Sequence, residues 1–145
     1  MGTPFSDIYE LFLSQITDYE LTVMTETTLE KNMQMWLVSA IPNFLNCKKN
    51  IQQYDKYLAE FDEELSSTEQ FILSKYMVHA YVSTFLIKEE NLSQALNSKD
   101  YRMYSPANQL KALTELRNHI NSEANALKSQ YSWNVHSIRE MFKNE

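Results

Sequence analysis

Glycine is nearly absent: the 145 residues contain one, Gly2. Glycine supplies the φ > 0 positions that tight hairpins, bulges and phosphate-cradling loops use. A body without it holds no dinucleotide fingerprint, no P-loop and no nucleophile elbow, and it is a poor β-sandwich. Cysteine is equally scarce. Cys47 stands alone, so no intrachain disulfide forms, one thiol makes no zinc site, and a reducing compartment is expected. Long apolar runs are missing too. The richest stretch, Phe71 to Ile87, is interrupted by Ser74, Lys75, His79, Ser83 and Thr84, well short of the roughly 20 residues a membrane span requires. No basic n-region precedes an apolar run, so no secretory signal is expected.

What is present is apolar and acidic. The hydrophobic share is 43%, with nine Tyr, seven Phe and two Trp, enough to build one domain with a true core. Net charge is −6, and the acidic excess lies in the first half, where Lys31 is the only base before Cys47. No domain-wide basic field exists to wrap DNA.

The fold class this implies is all-α: a bundle of about four main helices near 4–15, 28–45, 67–88 and 106–131, with a long C-terminal helix and an apolar tail. Phe5, Ile8, Phe12 and Ile16 form one stripe, started by Thr3 as cap and Pro4 at the first helical position. Thr27 to Glu30 reads as a capping box for the second helix, and Pro42 predicts a kink or stop near its end. Residues 46–50 read as a loop, and 51–65 as either a loosely docked helix or an extended connection. Ser66 to Glu69 offers another capping box, with Leu65 placed for a staple. The helix that follows is the expected buried centre, and a short turn follows at 91–97. Connections are expected at 17–25 and 97–105, with Ser105-Pro106 starting the last helix. There Leu113, Leu116, Ile120, Ala124, Leu127 and Tyr131 make a heptad-like seam. The domain division is a bundle at 1–131 and a C-terminal docking tail at 132–145.

Candidate chemistry is sparse. His79, His119 and His136 lack metal-ligand spacing. Asp62, Glu63 and Glu64, extended by Glu60 and Glu69, read as a solvated face rather than an acid–base pair. Lys48 and Lys49 flank Cys47 and would lower its pKa, but no His and orienting group are placed to complete a nucleophile. Met1 to Ser6 formally matches an acylation pattern at Gly2, which the helix start explains equally well. No catalytic, metal or cofactor residue is therefore assigned, and no enzymatic activity is expected. The candidate docking residues are Trp133, Val135, Ile138, Met141 and Phe142. They are costly to leave in water, so they either fold back on the bundle or dock on another chain.

Several runs resemble the head–tail connector (neck adaptor) proteins of siphophages. They are Pro4 to Phe12, Ile16 to Leu21, Ala40 to Phe44, Leu65 to Leu73, Glu90 to Leu92 and Tyr104 to Leu113, in the family's order and spread over most of the chain. The resemblance implies a structural virion protein, located in the neck and in the host cytoplasm during assembly. It implies an α-helical adaptor, commonly a ring of twelve copies under the portal, that extends the DNA channel and carries further neck or tail-completion proteins. Its partners would be the portal protein, neighbouring copies of itself and genome DNA passing without sequence-specific binding, with no membrane and no cofactor. Two other classes remain: a small acidic regulatory protein that binds a host factor, and a helical DNA-binding protein.

Overall fold

The computed structural model describes residues 2–16, 25–95 and 107–143; at 85, 88–95, 107–110 and 134–143 it describes the backbone alone. Helix α1 spans Phe5–Ser14, α2 Glu26–Ala40, α3 Ser67–Ala95 and α4 Ala107–Lys143. A 3-10 turn, Ile41–Phe44, follows α2, and two short strands, β1 (Tyr54–Asp55) and β2 (Glu60–Phe61), lie between it and α3. The architecture is an all-α bundle with one small hairpin. Of the connection expected at 17–25, residues 17–24 fall outside the described residues, as do the connection expected at 97–105 and the Ser105-Pro106 helix start.

Helix α3 is the centre. It touches α1, α2, the 3-10 turn and α4. Ile72, Leu73, Tyr76, Met77 and Val82 are all buried, so the helix is apolar on several faces, as a helix surrounded by others must be. Phe12 of α1, Trp36 of α2 and Tyr81 of α3 stack in tilted and edge-on pairs with ring centroids 5.1–5.7 Å apart, the geometry that aromatic quadrupoles prefer. On α4, Ile120 and Ala124 are buried and Leu127 and Tyr131 pack against the core. Leu116 is 46% exposed, so the predicted seam is engaged only in its C-terminal part.

Ser66 and Glu69 form the reciprocal box as expected: the Ser66 N–H donates to Glu69 Oε1 at 2.7 Å, and the Glu69 N–H donates to Ser66 Oγ at 3.2 Å. The staple position is taken by Gln70, whose amide donates to the Leu65 carbonyl instead. Pro42 does end α2, converting its last turn to 3-10 geometry. The cap of α2 is Thr25, not Thr27: its hydroxyl accepts from the Thr28 N–H. Thr3 caps nothing. It is buried, and its hydroxyl accepts from the Leu65 N–H at 2.7 Å, while Pro4 stands at the N-cap rather than at the first helical position. Helix α3 continues through the turn expected at 91–97 as far as Ala95.

Of the two expectations for residues 51–65 the helix is not found; the segment is a connection that carries a short antiparallel hairpin, with Tyr54 opposite Phe61 and Asp55 opposite Glu60. Two devices replace glycine. Asp55 Oδ1 accepts from the Tyr57 and Leu58 N–H groups, closing the turn with a side chain. Ala59 takes the left-handed conformation, φ 54°. The N-terminal segment then pairs with the hairpin: the Phe61 N–H donates to the Thr3 carbonyl and the Phe5 N–H to the Ala59 carbonyl, both at 2.8 Å. A Cβ at Gly2 would run into the Phe61 carbonyl. The single glycine thus serves a close backbone approach, not a turn.

Candidate functional site

Three features stand out: a buried polar network, an open groove, and the far end of α4.

The network joins three elements. Glu69, in the first turn of α3, is almost fully buried. Its Oε2 accepts from the Tyr131 hydroxyl of α4 at 2.6 Å and from the Cys47 thiol at 3.4 Å. Tyr131 in turn accepts from the Lys48 N–H at 2.8 Å, and its ring meets Phe44 edge-on. Burial by itself would raise the Glu69 carboxyl, but the donors from Tyr131, Ser66 and Cys47 outweigh it and hold the group below its ordinary value. Glu69 therefore does not belong to the solvated acidic face, whereas Asp62, Glu63 and Glu64 are exposed. Cys47 is corrected as well. Burial, reinforced by the Glu69 charge, pushes its thiol up to about 12 despite the neighbouring lysines. A thiol held protonated is a poor nucleophile. What this network does is mechanical: it clamps α4 and the 45–50 loop to the start of α3.

The histidines remain apart. His79 is half-buried, and burial together with Arg117 lowers its pKa. His119 Nε2 lies 2.8 Å from Glu123 Oε1, and Glu123 also pairs with Lys75 at 3.0 Å. The side chain of His136 is outside the described set. No group of three or more potential metal ligands occurs among the described residues. No described helix is long and apolar enough to cross a membrane.

The groove lies between α1 and α4, above the start of α3, and has a volume of about 700 Å³. Leu11, Phe71 and Leu127 supply its apolar surface, with Asp7 and Glu10 on the α1 side. Leu11 stands beside the main α1 stripe, and Phe71 is 37% exposed although it opens the apolar run of α3. The sequence reading puts Phe71 in the buried central helix. Only the placement of α4 leaves both residues at an edge.

The predicted docking residues all lie on α4. That helix does not stop at 131 but runs on to Lys143. Helices α3 and α4 are antiparallel, as the contacts Glu69–Tyr131 and Tyr76–Asn125 show. Tyr131 therefore marks the start of α3, and residues 132–143 carry about 18 Å of further helix past it. Trp133 is 73% exposed. Val135, Ile138, Met141 and Phe142 follow on the same helix, with side chains outside the described set. The backbone thus makes no break between the bundle and the predicted tail. No family model matches the chain, and no characterised protein or solved structure is significantly similar to it.

Proposed function

We propose that this chain is a structural adaptor of a phage neck, assembling as a ring under the portal, extending the DNA channel and offering a platform for further neck or tail proteins. The observation that carries this reading is α4. A helix clamped to the bundle by a buried network overshoots its partner helix, with Trp133 exposed on the continuation. A helix that continues past the start of α3 with an exposed Trp133 suits docking on another chain. Two further observations agree. The short sequence runs that resemble head–tail connectors are spread along most of the chain, and the net charge of −6 suits a conduit along which DNA slides without sticking.

The test is to mix the full chain with purified portal and examine the product by sedimentation and electron microscopy. A ring capping the portal, lost on deletion of 132–145, is the expected result. A chain that ignores the portal but binds duplex DNA with steep salt dependence would overturn the reading in favour of a DNA-binding protein. A chain that ignores both and captures a host protein would favour the regulatory alternative.

A further inference from the structure

We infer that the groove between α1 and α4 receives the C-terminal helical segment, residues 132–143, of a second copy of this chain. The inference deepens the adaptor reading and rests on its requirement that copies associate.

Three observations carry it. First, groove and segment suit each other chemically. The groove offers Leu11, Phe71 and Leu127 with Asp7 and Glu10 at its side. The segment offers Trp133, Val135, Ile138, Met141 and Phe142, together with Arg139 and Lys143 against the single acid Glu140. An apolar surface edged by two carboxylates faces an apolar helix carrying two bases. Lys75, over the Phe71 ring, is paired with Glu123, and Lys128, next to Leu127 in the chain, donates to the Asn43 carbonyl.

Second, the segment cannot occupy its own groove. Leu127 and residues 132–143 belong to one unbroken helix, and a helix leads away from its own preceding turns at about 1.5 Å per residue. Folding back would require melting α4 beside Tyr131, where the Glu69 network holds it. The occupant therefore comes from another molecule.

Third, the contact is heterologous. Each copy carries one projecting segment and one receiving groove at different places on its surface. Such head-to-tail contacts close into rings when the rotation allows and otherwise make open chains.

The decisive experiment exchanges the charges. Asp7→Lys with Glu10→Lys reverses the groove, and Arg139→Glu with Lys143→Glu reverses the segment. Asp7 and Glu10 are exposed, so helicity and melting temperature should hold. Self-association is measured by sedimentation of the full chain at low salt. Each reversal should weaken it on the order of fivefold, as expected for two exposed ion pairs. All four changes in one chain should restore it. Phe71→Ser, which strips the apolar surface, should weaken it in every background. A fourfold variant no tighter than its two parents overturns the inference, as does a wild-type chain that stays monomeric at every concentration reached. If the segment reversal abolishes portal binding while the groove reversal leaves self-association unchanged, the segment docks on the portal instead. The inference then fails and the adaptor reading stands. A full chain that neither self-associates nor binds the portal sinks both.

Discussion

Glu69 shows how one side chain can carry a tertiary joint. Its two oxygens serve Ser66, Tyr131 and Cys47, so cutting it back leaves three part-buried donors without their acceptor. Glu69→Ala should cost about 3 kcal/mol, the range for stranding buried polar groups, read as a lower midpoint in urea. The pH dependence has a definite sign. The folded carboxyl lies below its unfolded value of about 4.5, so its contribution is full above that pH and is lost as pH falls through the folded value. The stability gap between the wild type and Glu69→Gln should therefore narrow only below about pH 4.5. A gap that stayed constant down to pH 3 would mean that the charge contributes nothing. Cys47 offers an independent readout. With its thiol raised to about 12, against about 8.5 for a free cysteine, it should resist iodoacetamide at neutral pH and react promptly in denaturant. Fast labelling of the native chain would contradict the network.

At the scale of elements, the hairpin is the instructive case. It is built without glycine, at the expense of an alanine in left-handed geometry, a conformation that disfavours a Cβ by about 1–2 kcal/mol. Ala59→Gly should remove that strain and, after the extra flexibility of the unfolded chain is subtracted, stabilise the protein by about 0.5–1 kcal/mol. Thermal melts of the two chains decide it, and a lower midpoint for the glycine variant would show that Ala59 is not strained. The opposite substitution, Gly2→Ala, should destabilise, because the new methyl group meets the Phe61 backbone. The two sites reverse the usual expectation: the glycine stands where φ is not positive, and alanine stands where it is.

For the whole molecule, the question is where folding ends and assembly begins. On the adaptor reading that line falls just after Tyr131, because Glu69, Cys47 and Lys48 all reach the Tyr131 hydroxyl or its carboxylate partner. Deleting 132–145 should therefore lower the helical signal only by that segment's share and leave the melting temperature within a few degrees, while abolishing association. Deleting 127–145 also removes Leu127 and Tyr131, both packed against the core, and should destabilise the bundle severely. Circular dichroism and sedimentation on both truncations test the boundary. An unfolded 1–131 chain would place the C-terminal segment in the core instead.

Helix existence, order and the central role of α3 were determined by the sequence itself. Apolar spacing at three and four residues, Pro42 and the Ser66–Glu69 box are local facts, and local geometry answers to them. The large apolar residues past the seam, from Trp133 to Phe142, are likewise plain in the sequence. Other features depended on partners far away in the chain. Thr3 looks like a cap until Leu65, 62 residues on, takes its hydroxyl. Glu69 looks like one more acid in a charged run until Tyr131 and Cys47 bury it. Residues 51–65 carry helical spacing, yet they hold a hairpin, and the N-terminal segment pairs with it through hydrogen bonds that no local pattern announces. The groove is likewise a product of packing. Leu11, Phe71 and Leu127 are ordinary core-type residues in the sequence, and only the way α1 and α4 straddle α3 leaves them at an edge, because burial is decided by which faces meet and not by composition.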